Sequence, residues 1–257
     1  MVEATNTSLP ASGEIIKSKS DKRIYKYITL PNKMQCILIQ DDEADKSSAS
    51  LDVSGVGAAS DPHEYYGTAH FLEHMLFMGS EKYPEQNDYA EYIKNNGGNA
   101  NAYTGMTMTN YHFNVSNDAF EGALDRFAQF FISPLLGVES TEQEMKAVDS
   151  EYNMSLQNDA WRTMAVLFEA SHPESAMHRF MCGSIETLKK EGIRENLLNF
   201  HKKYYSSNIM HLVVTGKHTV EQLEQWVVSK FKPVVNKNVV PPDYSKPKLP
   251  FDASNMG

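Results

Sequence analysis

Two histidines and a glutamate in the segment His70-Phe71-Leu72-Glu73-His74 are the residues whose types and spacing most directly suggest chemistry. On a helix, positions i and i+4 lie on one face, so both imidazoles can reach the same ion. Neutral imidazoles suit Zn²⁺, which takes nitrogen, sulfur and oxygen ligands in tetrahedral sets. A neighbouring carboxylate, here Glu73, can take a proton from an activated water and pass it to a leaving amine. The spacing therefore predicts a hydrolytic zinc site.

The alternative for this segment is a helix whose histidines are partly buried and satisfied by ordinary hydrogen bonds. Phe71, Leu72, Leu76 and Phe77 indicate that the helix is deeply embedded. Burying two histidines and a glutamate without partners would cost several kcal/mol, and a bound metal removes that difficulty. We therefore favour the metal site.

A third protein ligand must come from elsewhere, because a catalytic zinc keeps three protein ligands and one open position. Glu144 and Glu151 lie two turns apart on one predicted helix, so both face the same way. Glu144 also fits a capping box with Thr141, and Glu151 also fits a solvated helix surface. The spacing alone leaves these alternatives open.

Alternating and helical patterns predict the elements that position these residues. Together they predict an α+β fold, a mostly antiparallel β-sheet covered by helices. We expect a flexible lead-in over residues 1–23, a zinc-binding domain over 24–238, and a linker or cut end over 239–257. The predicted strands span residues 34–40, 48–56, 109–116 and 209–215, and the predicted helices span 64–78, 85–95, 117–132, 141 to beyond 161, 194–204 and 219–231.

Composition narrows the function further. The 257 residues are 41% hydrophobic and carry a net charge of -9, which argues against nucleic-acid binding because no basic excess neutralises phosphates. No apolar run approaches a membrane span, so no membrane partner is expected. With only Cys36 and Cys182 and no visible secretory signal, we expect a cytoplasmic, reducing location.

Five segments of the chain resemble the insulinase-type inverzincin metallopeptidases, in the branch typified by insulin-degrading enzyme and nardilysin. The inverted motif H-x-x-E-H marks the inverzincins. The likeness runs over residues 22–238, and the five segments occur in the family's order. They are GTAHFLEHMLFMGSEKYP (67–84), NAYTGMTMTNYHFNVS (101–116), EGALDRFAQFFISPLL (121–136), AVDSEYNMSLQNDAWR (147–162) and FHKKYYSSNIM (200–210).

The resemblance implies roles that spacing left open. It makes Glu151 the third zinc ligand beside His70 and His74, and Glu144 a second active-site carboxylate. It also implies that Asn101, Ala102 and Tyr103 bind peptide substrates as an added strand along a sheet edge.

The resemblance also implies partners. Family members form a clam-shell of four related domains, of which this chain matches the first. An Arg and a Tyr of the last domain help to bind the scissile carbonyl. We therefore expect the remaining domains on a longer chain or a partner chain, and the resemblance allows a homodimer of the full enzyme.

Two departures from the family text matter. Leu72 stands where insulin-degrading enzyme has a cysteine, so we expect resistance to thiol-alkylating inhibitors at the zinc helix. Residues 173–184 differ in length and sequence, so substrate contacts from that stretch are not carried over.

Two alternative functions stay open at this point. One is a non-catalytic structural relative, such as a core subunit of a respiratory complex, although such relatives lose motif residues that this chain keeps. The other is a mitochondrial processing peptidase, which the lack of an Arg-rich leader disfavours.

Overall fold

Six strands form one sheet in the computed structural model, which describes residues 15–173, 175–244 and 251. The order across the sheet is β1-β2-β6-β3-β5-β4. Every neighbouring pair is antiparallel except β2 and β6, so the predicted mostly antiparallel sheet is confirmed. The strands are β1 Ile24–Thr29, β2 Gln35–Gln40, β3 Lys46–Ser54, β4 Asn99–Thr104, β5 Met108–Ser116 and β6 Met210–Gly216.

Helices cover one face of this sheet, because alternate side chains on the central strands are apolar and point to that face. Leu51 and Val53 of β3 and Leu212 and Val214 of β6 are fully buried and join the helices in one core. The helices are α1 Thr68–Met75, α2 Asp88–Asn95, α3 Phe120–Ile132, α4 Val138–Ser155, α5 Asp159–Glu169, α6 Ile185–Leu188, α7 Ile193–Tyr204 and α8 Val220–Phe231.

The predicted long helix from residue 141 to beyond residue 161 is wrong in its continuity. Helix α4 ends at Ser155, and Asn158 begins α5 as an N-cap. The Asn158 Oδ1 accepts the Ala160 backbone N–H at 2.9 Å. Asparagine offers the backbone a local hydrogen bond that competes with helix continuation, and this favours a break over a turn.

Strand β1 was absent from the predicted elements. Its residues Ile24–Thr29 are half-exposed to exposed along an outer strand, so they show no clear apolar and polar alternation. The predicted lead-in (1–23) and tail (239–257) lie largely outside the described residues. Within the described part of the chain, no helix is both long and apolar enough to cross a membrane.

Candidate active site

Helix α1 is held at its N-terminus by the buried carboxylate of Asp61. The two Asp61 oxygens accept the backbone N–H groups of Gly67 (2.7 Å) and Ala69 (2.8 Å), which satisfies orphan donors of the first turn. Gly67 has a φ of +89°, and a Cβ there would lie 2.2 Å from the Gly183 Cα. Only glycine therefore fits where α1 begins against the 182–183 backbone.

Three side chains that could bind a metal ion converge beside α1, and two of them belong to that helix. Ligand atoms of His70, His74 and Glu151 all lie within 4.8 Å of one another. Glu151 Oε2 is 3.5 Å from the Nε2 atoms of both histidines, longer than an ordinary N–H···O hydrogen bond. Ligands about 2.0–2.2 Å from a tetrahedral Zn²⁺ lie about 3.3–3.6 Å from one another. The two distances from Glu151 to the histidines therefore fit a shared ion better than direct ion pairs.

The surroundings of the two histidines shift their pKa values in opposite directions. Burial, followed by the charge of His74, lowers the pKa of His70 to about 4, so His70 is neutral. Burial alone would lower the pKa of His74, but its hydrogen bond to Glu144 and the nearby carboxylate of Glu151 outweigh burial and raise the pKa to about 9. With this pKa, His74 carries an extra proton at neutral pH. A metal ion that binds His74 must displace this proton, because ligand imidazoles are neutral.

Glu144 lies behind His74 rather than at the start of a helix. Its Oε2 is 3.2 Å from His74 Nδ1, on the side away from the shared donors. Helix α4 begins at Val138, and Thr141 Oγ1 donates to the Gly137 carbonyl instead of capping. The capping-box alternative for Glu144 is therefore excluded.

Glu151 is not simply a solvated helix residue. Its side chain is 45% exposed, yet Oε2 faces both imidazoles. The interaction with the nearby His74 lowers the pKa of Glu151, so the carboxylate is ionised at neutral pH. Helices α1 and α4 pack against each other, and this contact brings the three donors together.

Glu73 lies beside these donors and is only 7% exposed. Thr104 Oγ1, at the end of β4, donates a 2.5 Å hydrogen bond to Glu73 Oε2. Burial raises the pKa of Glu73 to about 7, against the opposing effects of the Thr104 bond and His74. A carboxyl group of such pKa is suited to exchanging protons near neutral pH.

Strand β4 lies at the edge of the sheet, next to these residues. It lines a cleft of about 510 Å³ together with His70, Glu73 and Glu151. Asn101, Ala102 and Tyr103 all border this cleft, so the structure places the predicted substrate-binding residues beside the donors. Asn101 Oδ1 accepts the Ala102 backbone N–H at 2.9 Å, and the Tyr103 side chain is half exposed.

Sequence reasoning missed several residues that border the cleft. Thr104, Trp161, Met181 and Cys182 are not among the predicted site residues. Alternation along 99–104 would have placed Thr104 on the same face as Ala100 and Ala102. Met181 and Cys182 lie in the stretch that departs from the family text, where no pattern locates them.

Comparison with known proteins supports the same family as the motif. The profile described as insulinase (peptidase family M16) matches residues 35–174, and a second profile, described as the peptidase M16 inactive domain, matches 192–255. The chain is 43% identical to human insulin-degrading enzyme over 248 residues, covering 94% of this chain and 24% of that protein. It is 44% identical to the A-factor-processing enzyme of Saccharomyces cerevisiae over 240 residues, covering 91% of this chain and 23% of that protein.

Solved structures show the same fold. The crystal structure of pitrilysin matches with a TM-score of 0.86 and 39% identity, covering 89% of this chain and 25% of that chain. A protease from Helicobacter pylori matches with a TM-score of 0.74 at 20% identity, over 86% of this chain and 53% of that one, which speaks for the fold alone. The chain spans about a quarter of the length of the pitrilysin, human and yeast relatives. The match to the insulinase profile covers more than half of the residues, so the chain belongs to the insulinase family, peptidase family M16.

Proposed function

We propose that this chain is the catalytic domain of a zinc-dependent endopeptidase and that His70, His74 and Glu151 hold the ion. The convergence of these three donors within 4.8 Å carries the proposal. Two imidazoles and one carboxylate are a donor set found in catalytic zinc sites, in which a fourth position stays open. Relatives named as proteases, including a putative zinc protease of Schizosaccharomyces pombe, support the choice of zinc.

When bound, zinc would supply Lewis-acid activation of water and of the peptide carbonyl. The chain's own residues do the rest. Glu73 takes the proton of the attacking water and delivers it to the leaving amine. Because Thr104 occupies Oε2, Oε1 is the Glu73 oxygen available for this transfer. Glu144, bonded to His74 Nδ1, holds the ring so that Nε2 would be the atom available to the ion.

Peptide substrates would bind as an added strand along β4. An edge strand presents unpaired N–H and C=O groups, and main-chain hydrogen bonds to these groups make little demand on sequence. The Ala102 N–H donates to the side-chain Oδ1 of Asn101, and a substrate carbonyl would take the place of that oxygen. Asn101, Ala102 and Tyr103 thus keep the substrate role that the resemblance implied.

Full activity would require further domains, on the same chain or on a partner chain. The relatives are about four times as long as the matched region. Groups that bind the developing oxyanion would come from those domains, and their loss removes a large electrostatic contribution. We therefore propose that this chain alone binds zinc yet cleaves poorly. Rapid peptide turnover by the isolated, zinc-loaded chain would contradict this point. A clam-shell assembly, its homodimerisation and a reducing cytoplasmic location stay proposals.

A non-catalytic structural role and a presequence-processing role are not favoured. His70, Glu73, His74, Glu144 and Glu151 all line one cleft, and a structural subunit has no need of such a set. The presequence-processing role is disfavoured because the relatives at 43–44% identity are named as insulin-degrading enzyme and A-factor-processing enzyme.

The proposal is tested by metal analysis and cleavage assays on purified variants. His70→Ala and Glu151→Gln should lose stoichiometric zinc, while His63→Ala, at an exposed histidine outside the donor set, should retain it. Glu73→Gln should retain zinc and lose peptide cleavage in the complete native protein. Full zinc content in His70→Ala, or retained cleavage in Glu73→Gln, would remove these residues from their assigned roles.

A further inference from the structure

A hydrogen bond joins the edge strand to the proposed base. Thr104 Oγ1 donates to Glu73 Oε2 at 2.5 Å, and Thr104 is the last residue of β4. Glu73 is buried, so few other donors can orient its carboxylate. Among the hydrogen bonds of the described residues, the Thr104 bond is the one that holds the Glu73 side chain.

The backbone of Thr104 faces the open edge of the sheet. At the turn, the Gly105 N–H donates to the Met108 carbonyl, and Tyr103 and Asn101 are registered with Asn110 and His112 of β5. Amide directions alternate along a strand, so Ala102 and Thr104 point their N–H and C=O groups away from β5. The Ala102 amide bonded to the Asn101 side chain, outside the ladder, agrees with this direction.

We propose that Thr104 is a positioning residue that links strand pairing of the substrate to the orientation of Glu73. The inference rests on the proposed function, since it assigns a partner to the proposed base. A peptide strand added along β4 contacts the Thr104 backbone, and the same residue holds Glu73 Oε2 from its side chain. Pairing thereby fixes the strand end that carries the hydroxyl, and Glu73 Oε1 is turned toward the attacking water.

Thr104→Val tests this role, because valine keeps the shape of the side chain and removes its hydroxyl. In the complete native protein we expect kcat to fall about 10- to 100-fold, since misplacement of a proton-transfer group is costly, with KM changed less than about twofold. Thr104→Ser restores the donor and should return kcat to near the wild-type value. Thr107→Val, at an exposed threonine of the adjoining turn, is the matched control and should leave kcat unchanged.

Two measurements separate positioning from damage to the site. Zinc affinity, and peptide affinity measured on the inactive Glu73→Gln background, should be the same with and without Thr104→Val. The rate losses should also be non-additive, so Thr104→Val adds little to the loss already caused by Glu73→Gln. If Thr104→Val does not fold, Thr104→Ala is compared in the same assays.

Wild-type kcat in Thr104→Val, a tenfold loss of zinc or peptide affinity, or additive rate losses would each overturn the inference. Those results would leave the proposed function intact as long as Glu73→Gln is inactive. Retained cleavage by Glu73→Gln alone would overturn both. A fall in kcat alone, with rescue by serine, would support the inference.

Discussion

The Nδ1 atom of His74 lies 3.2 Å from Oε2 of Glu144, on the opposite side of the ring from the atom that faces Glu151. An acceptor behind a ligand imidazole fixes its tautomer and orientation. Glu144→Ala should therefore weaken zinc affinity about 10- to 100-fold, and Glu144→Gln, which retains an acceptor, should weaken it less. Competition with a fluorescent chelator measures the zinc affinity of both variants. The exposed Glu142→Gln is the control, and equal affinities in all variants would contradict this role for Glu144.

The outward direction of the Ala102 amide predicts a selective effect of proline. Ala102→Pro removes an amide that faces the free edge, so the β4–β5 ladder stays intact while substrate pairing is blocked. We expect KM to rise at least about tenfold with little change in thermal midpoint, because proline removes one main-chain donor and its ring obstructs the approach of the substrate strand. Asn101→Pro, whose amide faces β5, should instead lower the midpoint. An unchanged KM in a folded Ala102→Pro protein would exclude strand addition along β4.

Gly67 and Gly97 make a matched pair for testing how α1 is anchored. Both have positive φ, but a Cβ at Gly67 would meet the Gly183 backbone at 2.2 Å, whereas one at Gly97 meets nothing within 4 Å. Gly97→Ala should cost about 1–2 kcal/mol of unfolding free energy from its left-handed conformation alone. Gly67→Ala should cost more, and should weaken zinc binding by shifting α1. Urea titrations measure the unfolding free energy of both variants. Equal losses of stability would argue against a tight contact between Gly67 and Gly183.

Thiol reagents should act slowly, and no adduct should form on the zinc helix itself. Burial raises the pKa of both Cys36 and Cys182 to about 12, and Leu72 occupies the fully buried motif position. Because the thiolate is the reactive form, alkylation at pH 7 should be slow and should accelerate toward pH 9. Mass spectrometry after N-ethylmaleimide treatment locates the adducts. Fast inactivation that persists in Cys182→Ser would contradict the prediction.

A pH-dependent ion pair spans β3 and β6, away from the proposed site. His211 Nδ1 lies 3.3 Å from Asp52 Oδ2, and this bond raises the pKa of His211 despite partial burial. A raised histidine pKa stabilises the fold fully below its unfolded value, about 6.5, and the contribution is lost as pH rises through the folded pKa. The difference in unfolding free energy between wild type and His211→Gln should therefore shrink from pH 6 to pH 9 in urea titrations. A constant difference would mean that the charge of His211 contributes nothing.

The motif helix and the central strands could be predicted because their signals are local. His70, Glu73 and His74 share one helix, and apolar alternation identifies β3 and β5 from their own residues. The third ligand could not be chosen from spacing, since Glu144 and Glu151 face the same way on α4 and differ only in their tertiary contacts. The resemblance supplied that choice.

Other features depended on contacts between distant parts of the chain. Strand β1 is half-exposed, and its partner β2 defines it more than its own sequence does. The Thr104–Glu73 bond joins residues on different elements, and no sequence pattern reports such a pair. The helix break at Asn158 differs from these features, because the capping asparagine is itself a local signal for a helix start. The predicted continuous helix did not take this signal into account.

The position of β6 has a consequence for synthesis. Strands β1 and β2 form one half of the sheet and β3, β5 and β4 form the other, and β6 lies between them although, of the six described strands, it is made last. A chain emerges from the ribosome N-terminus first. The two halves of the sheet therefore each keep an unpaired strand edge until residues 210–216 have been synthesised. Chaperone binding during translation should therefore protect the nascent chain most just before β6 is synthesised. Nascent chains that end before Met210 should be prone to aggregate.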